Sequence, residues 1–288
     1  MKHAGGVGKL IELRGACSFQ DPTERSMLEG NRVTIALECM VEKKRCFLEH
    51  SDWKTIPWAT DPGSKTLNIA LHDFLCDIPG LLEDETTLLN SDTDSFQLHE
   101  SLSQKTVLCL KDLYEWRVAW QQEHPNFCQE VPTSDKEENP LFRTVLHYSD
   151  LPCANAIAVY NAILLLLLGL ASRVIGPAFD PSIPALHLTQ HLNYHPLYPP
   201  DSAPRAEAIA TEICRSVEYH LVNDKSNIAA FCLLFPLRIA YLAFEPRARE
   251  AKWLREVMTN LADVSGFEIS RSLTTRTTQL GLENLGQE

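Results

Sequence analysis

The stretch LLFPLRIAYLAF, residues 233–244, is almost wholly apolar, yet it contains Pro236 and Arg238. Proline lacks the N–H that a helix interior uses, and arginine stays charged in proteins. On a helix, the neighbours of Arg238 at i±3 and i±4 are bulky apolar or aromatic residues: Leu234, Phe235, Tyr241 and Leu242. We therefore predict a buried helix that Pro236 kinks, with the carbonyl of Cys232 freed as an acceptor.

The arginine of this stretch needs a carboxylate or several carbonyls beside it if it is buried. The stretch ICRSVEYHL, residues 213–221, carries Glu218 at the right place if the two stretches form a packed pair of helices. We therefore predict a structural role for Pro236, Arg238 and Glu218, with the last two paired. The alternative is a surface pair between Arg215 and Glu218, which stand three residues apart and would contribute little.

Most other signals in the sequence are helical. Asp21, Pro22 and Glu24 are typical of an N-cap, a first-turn proline and a first-turn acid, so they predict the start of a helix. A clean apolar stripe at helical spacing then runs up to Pro79 and Gly80. We expect that helix to stop at these two residues, because proline and glycine are poor helix formers.

The fold class that follows is all-α, because no series of alternating strand patterns is present. Only residues 141–148 are predicted to be extended, and loops are predicted over 131–140 and over the proline-rich 176–204. We predict a single irregular helical domain of about ten helices over residues 1–270. The polar tail, residues 271–288, is expected to be frayed.

The apolar segment 151–172 contains no charged residue and is long enough to span a membrane. It also contains Asn155, Tyr160 and Asn161, has no basic residues on its N-terminal side, and stands alone. We therefore predict a central helix that other helices surround, in a protein that does not cross a membrane.

Composition restricts the partners. The chain has 288 residues, 44% hydrophobic and 22% charged, as in ordinary globular proteins. Its formal net charge is −12, which repels nucleic-acid phosphates and anionic lipid surfaces. The nine cysteines include no C-x-x-C pair, and the N-terminus has no apolar signal region. We therefore expect reduced thiols and a nuclear or cytoplasmic protein that is not secreted.

Motifs for nucleotides and metals are weak. GGVGK at residues 5–9 resembles a phosphate-binding loop, but no strand precedes it and Leu10 follows Lys9, so we predict a helix start. His187, His191 and His195 have helical spacing but lie in a proline-bounded segment, which favours a surface turn. We predict no metal and no cofactor, and we assign no catalytic residue.

Acidic residues are clustered at 83–85, just after Pro79 and Gly80. Paired carboxylates can hold Mg²⁺ when they project from helices into one cavity. Because we expect the helix to stop at the proline and glycine, we interpret these acids as solvated side chains of a polar surface loop.

Four parts of the sequence together resemble a known family. They are HAGGVGKLIELRG at 3–15, WKTIPW at 53–58, LCDIPGLLED at 75–84 and the pair of stretches at 213–221 and 233–244. Together they resemble the regulatory region of fungal zinc-binuclear-cluster transcription factors, in the family's order and spacing. The resemblance implies an all-α domain that regulates the factor and, in some members, senses a small ligand.

The sequence also departs from that family. Its members carry an N-terminal cluster of six cysteines, a basic linker and a dimerising helix, and these 288 residues contain none of them. The closest spacing is Cys39-x6-Cys46, which is predicted to lie within a helix. We therefore expect no direct nucleic acid binding by this chain.

The functional prediction is a transcription-factor-like regulatory or ligand-sensing module without its own DNA-binding domain, linked to regulation of fungal secondary metabolism. It would act through protein partners or a small apolar metabolite. An enzyme recruited to natural-product biosynthesis, such as a metal-free cyclase or pericyclase, is the alternative, and a truncated gene or non-functional fragment also stays open. Arg215, Glu218, Tyr219 and Arg238 are the pocket candidates in either case.

Overall fold

The computed structural model describes residues 2–91, 95–133, 140–176, 206–223 and 228–265. Within these ranges the α-helices are α1 (Lys2–Arg14), α2 (Pro22–Glu42), α3 (Ser51–Thr55), α4 (Leu67–Leu89), α5 (Phe96–Glu123), α6 (Leu151–Ile175), α7 (Ala206–Asn223), α8 (Ile228–Ala243) and α9 (Arg249–Ser265). Strands β1 (Cys128–Pro132) and β2 (Thr144–Tyr148) form a two-stranded sheet. The all-α prediction is confirmed. The tail, the three histidines and nearly all of the proline-rich loop lie outside the described residues.

The described residues form two compact units. The first unit takes its residues from Met1–Trp116 and Leu170–Ala178, and the second from Arg117–Gly169 and Phe179–Glu288. The chain therefore leaves the first unit within α5 and returns to it within α6. That the two units make up one domain over 1–270 stays a prediction.

The first two helices begin as the sequence predicts. α1 contains the whole GGVGK motif, and its Lys9 pairs with Glu12 at 2.8 Å. Asp21 caps α2, because its carboxylate accepts a hydrogen bond of 2.9 Å from the backbone N–H of Thr23. α2 ends at Glu42, and its C-cap residue Lys43 has a left-handed backbone (φ 51°).

The prediction that Pro79 and Gly80 stop a helix is wrong. α4 continues through both residues to Leu89, and both are buried. An interior proline costs a helix about 3 kcal/mol. Ile78 and Leu81 are buried on either side of it, and this apolar packing offsets the cost.

The acids at 83–85 consequently lie on a helix and not in a loop, which also corrects the prediction. Glu83 and Asp84 both pair with Arg45. The Nε atom of Arg45 lies 3.3 Å from the carboxylate of Glu83. Lys105 contacts Asp84 at 2.9 Å, and Arg173 binds Glu85 at 2.6 Å. These ion pairs join α4 to three other parts of the first unit.

Gly80 lies where α4 approaches the Arg45–Glu49 pair. The guanidinium Nη1 of Arg45 donates to the Glu49 carboxylate at 2.7 Å. A Cβ atom at Gly80 would overlap that carboxylate and would come within 2.8 Å of the same Nη1 atom. The absence of a side chain at Gly80 therefore leaves the space that the ion pair occupies.

A second charged group lies deeper in the first unit, between α2 and α4. Arg32 is 0% exposed and pairs with Asp73, which also contacts Lys65 at 2.5 Å. The guanidinium of Arg32 lies 5.4 Å from the ring of Trp58. The carboxylate of Asp73 and the ring of Trp58 together offset the desolvation cost of burying the cation.

In the second unit, α7 packs on β2 and on α8, and α9 packs on α8. β1 and β2 are antiparallel, with Cys128 opposite Tyr148 and Pro132 opposite Thr144. The extended stretch predicted at 141–148 is confirmed in its last five residues. The first strand was not predicted from the sequence.

α6 matches the prediction of a buried apolar helix. It is long and apolar enough to cross a membrane, but 89% of its most apolar 18-residue window is buried within the protein. Its Asn161 is buried as well and makes a hydrogen bond within the protein. Burial of this kind is expected of the core helix of a globular protein.

Candidate functional site in the second unit

Three of the four pocket candidates come together on α7 against the β-hairpin. Arg215, Glu218 and Tyr219 are spaced i, i+3 and i+4, so they share one side of the helix. Each of them contacts a residue of β1 or β2 or the residue that follows β1. The sequence predicted that these residues share a site, and the hairpin is the surface that they share.

Arg215 binds both strands. Its Nε donates to the carbonyl of Thr144 at 2.9 Å, and its Nη2 donates to the hydroxyl of the same residue at 2.6 Å. The same Nη2 lies 2.9 Å from the carboxylate of Glu130 on β1. The ion pair of Arg215 is therefore with Glu130 rather than with Glu218, and it joins α7 to the hairpin.

Glu218 accepts a hydrogen bond of 3.4 Å from the hydroxyl of Thr133, just beyond β1. Arg238 on α8 is 8% exposed, so its predicted burial is confirmed. The pairing of Arg238 with Glu218 stays a prediction. Pro236 lies inside the continuous helix α8, and its kink also stays a prediction.

Tyr219 belongs to an aromatic cluster with the second strand. Its ring meets those of His147 and Tyr148 edge-on, each at a centroid distance of 5.5 Å. Burial is the main cause that raises the pKa of the Tyr219 phenol above its usual value. The hydroxyl therefore stays protonated and can donate a hydrogen bond.

A buried polar contact between two helices of the second unit was missed from the sequence. Asn161 on α6 donates to the carboxylate of Glu212 on α7 at 2.9 Å, and both residues are buried. Glu212 precedes Arg215 by less than one turn of α7. Asn161 did carry a signal, because it interrupts an apolar run, but its partner lies 51 residues away.

Further along α7, His220 is also buried. Its Nδ1 donates to the carbonyl of Ser216 at 2.8 Å, so the helix backbone orients the ring. The stripe formed by Glu212, Ser216 and His220 places an acid, a hydroxyl and an imidazole inside a largely apolar unit.

This arrangement is suited to recognition by hydrogen bonds. Arg215 and Glu218 are engaged with the hairpin, while Tyr219 offers a neutral donor. Within the ranges that the structure describes, no group of three or more His, Cys, Asp or Glu side chains is placed to hold a metal ion.

Comparison with family models, curated proteins and solved structures finds no significant match to the chain. The resemblance to fungal zinc-cluster factors consequently rests on the sequence stretches alone and enters the functional argument as a proposal.

Proposed function

We propose that the chain is a transcription-factor-like regulatory module that senses a small apolar metabolite, linked to regulation of fungal secondary metabolism. The observation that carries the proposal is the buried hydrogen bond between Asn161 and Glu212, on the helix that also carries Tyr219. The family resemblance of the sequence supports the same function.

A buried amide and carboxylate carry a desolvation cost that an apolar pair would avoid. Ligand pockets between helices are mostly apolar, with a few polar groups that orient the bound molecule. Tyr219 and Arg238 are hydrogen-bond donors of this kind, both of them buried in the helices of the second unit. The proposed ligand is therefore small and largely apolar, with one or two oxygen atoms that accept hydrogen bonds.

The proposed partners are this metabolite and other proteins. The net charge of −12 disfavours a direct contact with nucleic acid or with an anionic membrane. We extend the proposal to a nuclear or cytoplasmic location, which agrees with nine free cysteines.

Equilibrium dialysis with mass-spectrometric detection tests the proposal. The chain is dialysed against a defined panel of hydroxylated aromatic ketones and their unsubstituted hydrocarbons. We expect retention of one or more of the ketones and weaker retention of the matching hydrocarbons. Tyr219→Phe should weaken retention about tenfold, the effect of one lost hydrogen bond.

Tyr114→Phe is the matched control, because it removes a buried hydroxyl from the first unit. Equal losses in both variants, or no retained compound, would contradict the proposed ligand site. Conversion of a compound into a product would replace the sensing proposal with the enzymatic alternative.

A further inference from the structure

Arg117 on α5 lies among three aromatic rings of the second unit. Its guanidinium carbon is 5.0 Å from the ring centroid of Phe127, 5.6 Å from that of Trp120 and 5.9 Å from that of Tyr160. All three aromatic residues are buried, whereas Arg117 is only half-buried. The cation therefore has apolar surroundings and can still be reached from the solvent.

Three parts of the chain place these groups together. Arg117 and Trp120 are spaced i, i+3, so they share one side of α5. Phe127 directly precedes β1, and its carbonyl accepts a hydrogen bond of 2.9 Å from the backbone N–H of Ser149, just beyond β2. Tyr160 belongs to α6. The surroundings of the guanidinium are thus built by α5, the hairpin and α6.

Arg117 differs from other arginines of the protein in its lack of a counter-charge. Several buried or half-buried arginines pair with a carboxylate, as in the pairs Arg32–Asp73, Arg173–Glu85 and Arg215–Glu130. Among the residues that the structure describes, no carboxylate lies at ion-pair distance from Arg117. A partly desolvated cation without a counter-charge is costly, so an anion that binds there is favoured.

The aromatic contacts also leave most N–H groups of Arg117 without an acceptor. A guanidinium carries five N–H donors, and aromatic rings attract the cation without offering lone pairs. Nη1 donates to the Oε1 atom of Gln121 at 2.9 Å. In the described part of the chain, Nε and Nη2 have no acceptor, and together they form one edge of the guanidinium.

Arg173 shows what this edge can bind. Its Nε and Nη2 atoms donate to the two carboxylate oxygens of Glu85, at 2.6 and 3.1 Å. Such a bidentate pair is both strong and specific for a planar carboxylate. The corresponding edge of Arg117 offers the same two donors beside aromatic rings, which strengthen an ion pair by lowering the local dielectric constant.

We propose that the Nε and Nη2 edge of Arg117 binds the carboxylate of a small monocarboxylic acid with an aromatic body. A single carboxylate matches the single charge of Arg117. A phosphate dianion would leave one negative charge unpaired, in a chain whose net charge is already −12. The three rings around the guanidinium favour an aromatic or apolar body beside the carboxylate.

The aromatic contacts connect Arg117 to the candidate site on α7. The ring of Phe127 lies 6.4 Å from that of Tyr148, which in turn lies 5.5 Å from the ring of Tyr219. The inference therefore rests on the proposed function, because it names the anionic group of the same ligand. The carboxylate would meet Arg117, and a further oxygen atom would accept the hydrogen bond of Tyr219.

Equilibrium dialysis of the full chain against naphthoic acid, methyl naphthoate and naphthyl phosphate tests the inference. The three probes share one aromatic body and differ in the group that would meet Arg117. At neutral pH we expect the acid to be retained about tenfold more tightly than the ester, because only the acid brings a negative charge and two equivalent acceptor oxygens.

Variants of Arg117 assign the preference to its guanidinium. Arg117→Gln should weaken retention of the acid about tenfold and leave retention of the ester unchanged. Arg117→Lys keeps the charge but loses the two parallel donors, so it should keep only part of the preference. Arg143→Gln is the matched control, because it removes the same charge from an exposed arginine of the second unit and should change neither value.

The wild-type comparison of the three probes decides the question even if Arg117→Gln fails to fold. Equal retention of acid and ester would overturn the inference, and so would tighter retention of the phosphate or an equal loss in Arg143→Gln. Retained ketones in the panel described above, without a preference for the acid, would overturn the carboxylate site alone. Retention of neither ketones nor acid would overturn the proposed function as well.

Discussion

The two units offset the desolvation cost of their buried polar groups in different ways. In the first unit, cations meet carboxylates from a neighbouring helix, as Arg32 meets Asp73. In the second unit, Arg215 meets the carboxylate of Glu130 but also donates to the carbonyl and hydroxyl of Thr144, and the neutral amide of Asn161 donates to Glu212. Two packed helices suffice for the first pattern, whereas the contacts of Arg215 exist only once the hairpin has formed. Removing Asp73 leaves a fully buried cation unpaired, whereas removing Glu212 leaves a neutral amide unpaired, so the first unit should lose more stability.

The largest effect is expected for Asp73→Ala. It leaves the buried guanidinium of Arg32 without its carboxylate, which should lower the free energy of unfolding by about 3–5 kcal/mol. Urea unfolding measures the change. Glu115→Ala is the control, because its pair with Lys111 is exposed and should contribute about 0.3–0.5 kcal/mol. A loss from Asp73→Ala as small as that of the control would contradict the comparison.

Glu212→Ala should have the next largest effect. It removes the acceptor of the buried Asn161 amide and should cost about 2 kcal/mol in the same unfolding measurement. Glu207→Ala removes an exposed acid from the same helix, and we expect it to cost only about 0.5 kcal/mol.

Replacing both partners sharpens this test. In a variant with Glu212→Leu and Asn161→Leu, no polar group of this hydrogen bond remains buried, so much of the lost stability should return. If the double variant lost more free energy of unfolding than the two single variants lose together, the desolvation argument for this pair would fail.

A pH effect on the free energy of unfolding is expected from His72. Burial, and next the charge of Arg32, lower the pKa of His72 to about 4, whereas the unfolded chain has the ordinary value of about 6.5. Between these values the unfolded state binds the proton that the folded state excludes. The free energy of unfolding should therefore fall as the pH falls from about 6.5 to about 4.

His72→Gln should flatten this part of the stability profile, measured by urea unfolding at several pH values. His50→Gln replaces an exposed histidine and should leave the profile as in the wild type. Identical slopes for the wild type and His72→Gln would show that the histidine is protonated equally in both states.

The smallest effect is expected at Gly80. A glycine-to-alanine change inside a helix usually stabilises a protein by about 0.5–1 kcal/mol. Gly30→Ala should show this gain, because nothing lies within 4 Å of its new Cβ atom. Gly80→Ala should not, because its Cβ atom would displace Glu49 and Arg45.

In a chain that already carries Arg45→Ala and Glu49→Ala, adding Gly80→Ala should again raise the stability. Thermal unfolding of the double and triple variants measures this gain. A stabilising Gly80→Ala in the wild-type background would show that the ion pair moves aside at no cost.

Local chemistry explains which features could be predicted from the sequence. The Asp21 carboxylate caps the N–H of Thr23, only two residues away, and the apolar run of α6 determines its own burial. Arg45 pairs with Asp84 on α4, which lies 39 residues further along the chain. Arg32 pairs with Asp73, which lies 41 residues further along. No local pattern contains such a distance, so both charged groups were missed.

The same reasoning applies to the wrong helix end at Pro79 and to the missed strand β1. Helix propensity is a local quantity, and the burial of Ile78 and Leu81 outweighs it. β1 has mostly exposed or half-buried residues and includes Glu130, so its pattern is weak. Its pairing with β2 stabilises it, and pairing is a tertiary property.

The return of the chain to the first unit within α6 affects the order of folding during synthesis. Arg173 holds the buried carboxylate of Glu85, and the carbonyl of Val174 accepts a hydrogen bond of 2.7 Å from the ring of His99. A nascent chain that has emerged only as far as Trp116 lacks both contacts. The first unit can therefore complete its structure only after the ribosome has released most of α6, by which time both strands of the hairpin have also emerged.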